Sequence, residues 1–281
     1  MALLDRRSRR SYANTAFITF CTLAAGVAIL ALAAILISLL VQGVGGVDLD
    51  VFTKETPGAG GHGGLANAII GSIELCFVAM VGAVFVGLFA GTWLAEYGGN
   101  SPYANTIRFL NDVLLSAPSI LIGLFVYEIA VAPMHGFSGL AGAAALALIA
   151  APVITRTTED VLKLQAKQLR ESGVALGAPF WITVRRILWR AATGGILTGA
   201  LLAFARISGE TAPLLFTSFG NQFNEFSMLK PIASLPQSIF QFALSADDNW
   251  KRLAWVGSLL ISFAVLTINI IVRVLSTGQK R

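Results

Sequence analysis

Six apolar stretches, each long enough to cross a lipid bilayer, leave this chain little room for anything but membrane helices. They fall at 16–41, 67–94, 110–132, 138–156, 193–216 and 253–274, near or above the roughly 20 residues a helix needs to span the hydrocarbon core. In lipid every backbone polar group must find its partner inside the segment, so apolar runs of this length predict helices. Composition agrees. The chain is 56% hydrophobic and 12% charged, against about 25% charged residues in a soluble domain, and its mean hydropathy is +0.75. The 28 glycines and 9 prolines suit membrane helices, which tolerate both better than soluble ones do. The predicted fold class is all-α: a polytopic membrane protein of six transmembrane helices, with no soluble domain between them.

The basic residues orient the set. With both termini inside, the inner side carries Arg6, Arg7, Arg9, Arg10, Arg108, Arg156, Lys163, Lys167, Arg170, Arg185, Arg186, Arg190, Arg273, Lys280 and Arg281, and the outer side only Lys54, Lys230, Lys251 and Arg252. That asymmetry follows the positive-inside rule. It also accounts for the net charge of +5, because the cations punctuate apolar runs instead of forming a stripe; nucleic acid is not an expected partner. Ala31-Leu32-Ala33 imitates a signal cleavage site, but the uncharged run from Ser11 to Val47 far exceeds a signal core of about 7–15 residues. It is expected to be a retained first helix.

The loops and helix faces carry local signals. The first outer loop, 42–66, holds the glycine-rich run Gly58–Gly64 and is expected to be flexible. His62 and His135 read as solvated loop residues, and Cys21 and Cys76 lie in apolar runs without metal or disulfide spacing. The last outer loop, 217–252, is semi-apolar around Ile239-Phe240-Gln241-Phe242, consistent with a surface or partner contact or a plain amphipathic loop. Gly87 with Gly91, and Gly195 with Gly199, form G-x-x-x-G pairs that allow close helix approach. Pro118 lacks a backbone donor and should kink the third span, with neighbouring serines available to the freed carbonyls.

Two places break the rules for membrane chains. In the inner loop 157–192, Glu171–Leu176 predicts a short helix stopped by a left-handed Gly177, and Pro179 suits the first turn of a second helix through Trp181. Leu176, Phe180 and Trp181 lie near the tip of this knuckle. It is either shaped for a partner's groove or a solvated hairpin with an aromatic edge. In the fifth span, Arg206 and Glu210 are four residues apart. On a helix that spacing stacks them on one face, where they can neutralise each other. An intramembrane charge costs on the order of 2.5–3.5 kcal/mol, so the two either line a solute path or tie helices together.

Glu171, Gly177 and Ile187 follow one another at intervals of six and ten positions. That spacing resembles the EAA loop of ABC importer permeases, with Ser172 and Gly173 in place of the two alanines and Leu188-Trp189-Arg190 lacking the final Leu-Pro. Residues 152–170, the run from Arg206 through Gly209-Glu210-Thr211-Ala212-Pro213-Leu214-Leu215, and Pro231–Pro236 are similar to the phosphate permease family called PstA, a likeness covering all but about the first 65 residues. The resemblance implies a type I ABC importer permease fold over a single transmembrane domain, 1–281. Within it, 1–66 would be an N-terminal helix and outer loop, and 67–281 a core carrying the coupling loop. It further implies a PstC-like permease as second half of the pore, a PstB-like ATPase dimer inside, a PstS-like phosphate-binding protein outside, and a bacterial plasma membrane. Carried over residue by residue, Arg156 and Arg206 become the cations of a phosphate path with Glu210 as balancing acid. Glu171, Leu176, Gly177, Phe180 and Trp181 become the ATPase-coupling set.

The chain contains no G-x-x-x-x-G-K-[ST] run. It is expected to bind no cofactor itself, and the ATP would be used by the partner ATPase. A permease for another oxyanion or an organic nutrient shares this architecture. A stand-alone secondary transporter fits less well, since paired broken helices are not evident. No H-E-x-x-H, nucleophile–base pair or Cys/His cluster suggests an enzyme.

Overall fold

The computed structural model describes the backbone of residues 2–278 and the side chains of residues 10–270. Arg6, Arg7, Arg9, Arg273, Lys280 and Arg281, counted above toward orientation, have side chains outside that range. In chain order the helices are α1 (Ala2–Val44), α2 (Asp50–Thr53), α3 (Ala66–Glu96), α4 (Pro102–Ser116), α5 (Ser119–Val126), α6 (Ala132–Met134), α7 (Gly139–Lys163), α8 (Lys167–Ala175), α9 (Phe180–Thr183), α10 (Trp189–Ser208), α11 (Ala212–Thr217), α12 (Leu235–Ala243) and α13 (Asp248–Gly278). π-helical turns at Tyr127–Val131 and Val184–Leu188 join α5 to α6 and α9 to α10 without a break. The first precedes Pro133, which has no N–H to give the Ile129 carbonyl and whose ring would crowd it in a regular helix.

Among the described residues five helices are long and apolar enough to cross a membrane, and the bent pair Pro102–Ser116 and Ser119–Met134 makes a sixth if its halves are taken as one span. The expected third span, 110–132, is therefore not one helix. Its two halves meet at 107°, a break where a kink was expected. Pro118 disfavours the helical conformation at the residue before it, and Ala117 is extended at φ −65°, ψ 136°. Ser116 donates to the Val113 carbonyl at 3.0 Å, helping to satisfy the end of α4. The expected fifth span, 193–216, is also divided. The helix stops at Ser208 and resumes at Ala212, because the ring of Pro213 collides with the carbonyl four residues back, that of Gly209. The fourth span continues past its predicted end at 156 to Lys163, with Pro152 inside the helix, so the inner connection is shorter than 157–192.

α7 is the hub. Of its central window 61% is buried, against 28% for α3 and none for α1. Both G-x-x-x-G pairs dock on it. A Cβ on Gly87 would lie 2.7 Å from Cβ of Ile154, and one on Gly91 would lie 2.7 Å from Cβ of Thr158. From the other side, Gly195 and Gly199 admit Val161 and Thr157, at 2.6 and 2.7 Å from the atoms a side chain would place there. Lipid offers no hydrophobic drive for two helices to meet, so such close packing is what holds them. The core between these helices is Leu75, Ala79, Ala83, Leu146, Ile149, Ile154, Ala203 and Ile207.

The outer loops are more ordered than their composition suggests. The glycine-rich loop expected to be flexible is held by Asp247, which accepts the Gly60 N–H at 2.7 Å, and by Trp250, whose indole donates to the Pro57 carbonyl at 3.2 Å. α12 turns Leu235, Pro236 and Phe242 inward, so the apolar run of the last outer loop is covered by its own chain, with Phe240 left exposed.

Candidate substrate path and coupling knuckle

Arg108, Arg156, Arg170 and Arg206 fall into two chemical kinds. Arg108 and Arg170 are saturated. Arg108 donates to Glu159 (2.7 Å), the Gly99 carbonyl (2.9 Å), Asn105 (2.9 Å) and the Leu94 carbonyl (3.0 Å). Arg170 grips Glu96 with both prongs, at 2.8 and 2.6 Å, and also donates to the Gln165 and Leu162 carbonyls at 2.8 Å. The two carboxylates are 2% exposed, so the clamps tie the C-terminal end of α3 and the helices α4 and α8 to the C-terminal part of α7. Sequence alone marked these arginines only as inner-side charges, since their acids lie 51 and 74 positions away.

Arg156 and Arg206 are the open kind. Arg156 is 46% exposed on α7 and has only loose ion pairs, with Asp160 at 3.3 Å and with Asp112 of α4 at 3.7 Å. Arg206 is exposed in the last turn of α10. Neither guanidinium donates a hydrogen bond to another described residue, and no described carboxylate lies within 4.0 Å of Arg206. The predicted Arg206–Glu210 pair does not form. The four-residue spacing brings side chains together only on a continuous helix, and Glu210 lies in the break after Gly209, half-buried.

α10 places Arg206 by presenting three faces. Gly199, Ala203 and Ile207 are buried against the α7 side, while Leu197, Leu201, Phe204 and Ser208 line an apolar groove of about 1200 Å³ between α3, α10 and α13. Thr198, Leu202 and Arg206 form an exposed stripe. Because Gly199 meets Thr157, the helical rise of 1.5 Å per residue puts Arg206 and Arg156 roughly 9 Å apart along the helix axes. Two open guanidiniums at successive depths suit an anion moving between them, since each fork matches the oxygens of an oxyanion.

The knuckle closes as predicted at its turn. Gly177 is left-handed, with φ +76°. The Gly177 N–H reaches the Val174 carbonyl at 2.9 Å and the Ala178 N–H reaches Gly173 at 3.2 Å, the paired bonds of a Schellman ending. Pro179 stands just before the second helix instead of in its first turn. Glu171 is exposed, and Leu176 and Trp181 are 86% and 58% exposed. Phe180 belongs elsewhere. Its ring meets Tyr97 edge-on at 5.4 Å and packs with Leu162, Val184 and Leu188, because the first turn of α9 faces the bundle. Gly173, one of the departures from the alanines of an EAA loop, lies against Thr183, whose Cβ would be 2.9 Å from an added Cβ. A small residue is required there, which the departure itself could have signalled.

Other ionisable groups are scattered. Glu74 has one buried oxygen without a partner, Glu128 is exposed, and no cluster of metal-ligating side chains occurs among the described residues.

Residues 83–280 match the family of binding-protein-dependent transport system inner membrane components. The backbone is similar to a chain of the MetNI methionine ABC transporter in inward facing conformations, with a TM-score of 0.63 at 18% identity over 77% of this chain and 96% of that one. A chain of an amino acid ABC transporter gives 0.52 at 14% identity, over 77% and 92%. The fold is thus that of a type I ABC importer permease. Phosphate transport system permease protein PstA of Xylella fastidiosa (strain Temecula1) is 49% identical over 97% of this chain and 95% of its own length, and that of Yersinia pestis is 52% identical over 88% and 84%. A probable PstA of Methanocaldococcus jannaschii is 34% identical over 75% of each chain. The chain belongs to the PstA family of phosphate transport system permeases.

Proposed function

We propose that this chain is the permease subunit of an ABC importer that carries inorganic phosphate across a bacterial plasma membrane, with ATP hydrolysed on a separate subunit. The observation that carries the substrate is the near full-length identity to the PstA permeases, whose name specifies phosphate. The open guanidiniums of Arg156 and Arg206 supply chemistry that fits it. Each presents charge and several N–H donors to an anion that must shed water on the way through. In this reading Glu210 faces the same path from the helix break, an acid that discourages the anion from resting at Arg206.

A PstC-like permease would complete the path, and a PstS-like protein would deliver phosphate from outside. A PstB-like ATPase dimer would engage the exposed Glu171, Leu176 and Trp181, with Gly177 setting their turn. Phe180, packed on Tyr97, would then pass the push from the knuckle into α3. Both termini are assigned to the cytoplasm by the positive-inside asymmetry.

The test is ATP-dependent uptake of labelled phosphate into proteoliposomes holding the assembled importer, with the binding protein supplied. Uptake competed by unlabelled phosphate and abolished by Arg206→Gln, with assembly intact, is expected. No ATP-dependent phosphate uptake, or equal uptake by the variant, overturns the reading.

A further inference from the structure

The geometry points to Asp112 as a competing counter-ion at Arg156: the carboxylate and a transported oxyanion take turns at the same guanidinium. This rests on the reading of Arg156 as a cation of the phosphate path. A path cation has two demands that conflict. It must attract the anion and then let it go, and binding that is favourable without being final is what permits passage through successive sites. An arginine with no internal anion would satisfy only the first.

Arg156 is arranged differently from the arginines that hold the fold together. Its charge is opposed by two carboxylates, yet neither makes a hydrogen bond to it: Asp160 stands at 3.3 Å from Nε and Asp112 at 3.7 Å from Nη1, and both acids are more than half exposed. The N–H donors therefore remain available to a ligand while two carboxylates already oppose the charge. Arg108, one helical turn before Asp112 on α4, has four hydrogen bonds and no such availability.

Of the two acids, Asp160 sits on α7 with Arg156 and moves with it, whereas Asp112 comes from α4. Its place does not depend on the ion pair. Arg108 fixes α4 to Glu159, and Asn111 donates to the Pro152 carbonyl at 3.2 Å. Asp112 thus stays at its post when an oxyanion displaces it from the guanidinium, ready to return and drive the anion off. Removing its charge takes away the competitor without taking away a support.

The experiment uses the assembled membrane complex in nanodiscs, without nucleotide or binding protein, and measures retained labelled inorganic phosphate. Maximal ATP-driven uptake is measured in proteoliposomes. Asp112→Asn is expected to tighten retention about fivefold, the scale of an exposed ion pair, and to lower the maximal uptake rate. Asp112→Glu is expected to return both toward the wild-type values. A merely structural aspartate would not tighten retention when neutralised, so unchanged or weakened retention in Asp112→Asn overturns the inference. Arg156→Gln separates the two ideas. If it weakens retention while Asp112→Asn fails to tighten it, only the counter-ion role falls. If it leaves retention unchanged, Arg156 is not on the path and both fall.

Discussion

Arg170 and Glu96, 74 positions apart in the chain, meet as a two-pronged ion pair at 2.8 and 2.6 Å with the carboxylate almost wholly buried. The hydrogen bond to the Glu96 carboxylate pushes the Arg170 pKa up, so the guanidinium keeps its charge. It fastens the knuckle's first helix to the C-terminal end of α3. Breaking such a pair leaves a buried charge uncompensated, at a cost of about 3–5 kcal/mol. Arg170→Met should accordingly lower the thermal unfolding temperature of the purified protein sharply, and Arg170→Met with Glu96→Met should recover most of the loss. A double variant no better than the single would show that the clamp is not what stabilises this corner.

Gly173→Ala puts a methyl group into Thr183 and should splay the knuckle. Gly177→Ala retains the space but must hold a left-handed conformation at φ +76°, costing an L-residue roughly 1–2 kcal/mol. Both are expected to insert normally while ATPase association falls, more for Gly173→Ala. Gly177→Pro, which cannot adopt positive φ and lacks the N–H given to Val174, should abolish coupling. Copurification of the ATPase and coupled uptake are the readouts, and undiminished coupling in all three would remove this element from the docking surface.

Arg206→Lys keeps the charge and loses the planar fork, so uptake should fall while assembly persists. Since Arg206 and Glu210 are not paired, neutralising both with Arg206→Gln and Glu210→Gln should leave transport as poor as Arg206→Gln alone. Recovery in the double variant would mean that the two residues serve each other as scaffold.

Asp247 joins the loop tip at Gly60 to the first turn of α13, accepting the Trp250 N–H at 3.0 Å and the Gly60 N–H at 2.7 Å. The Trp250 amide, and then those of Gly60 and Asn249, hold its pKa below the ordinary 3.8. A folded-state pKa lowered in this way contributes stability that is complete above 3.8 and is lost as pH falls through the folded value. Amide exchange at Gly60 should therefore be slow and insensitive to this group near neutrality, and quicken in acid beyond the ordinary chemical trend. Asp247→Asn should show faster exchange near neutrality, with the difference from wild type shrinking in acid as Asp247 itself is protonated.

A reporter active only outside the membrane, fused after Gly60, should give signal, and after Lys167 none. The opposite pattern would invert the assigned topology.

The helices were legible because lipid imposes a simple demand, and the two G-x-x-x-G pairs fell where close contact does occur. The breaks were less legible. Pro118 signals a bend, yet local sequence does not tell a kink from a turn of 107°, because where α4 packs is set by residues remote in the chain, such as Glu159 opposite Arg108. The Arg206–Glu210 pairing was lost for a similar reason. The four-residue spacing implies a continuous helix, while Pro213 three residues beyond Glu210 ends that helix early. Phe180 reads as a tip residue in the sequence because hydropathy shows that a side chain is apolar without showing which way it faces. The clamps at Arg108 and Arg170 left no local trace at all, since their partners are remote in the chain.

The double docking on α7 has a kinematic consequence. With Gly87 and Gly91 seated against it from one side and Gly195 and Gly199 from the other, rotating α7 alone would drive backbone into side chains on both faces. α3, α7 and α10 must travel as one rigid block. The freedom needed to open one end of a path and close the other then falls to the joints outside it, at Ala117-Pro118 and at Gly209–Thr211, which hinge the segments lying beside Arg156 and Arg206.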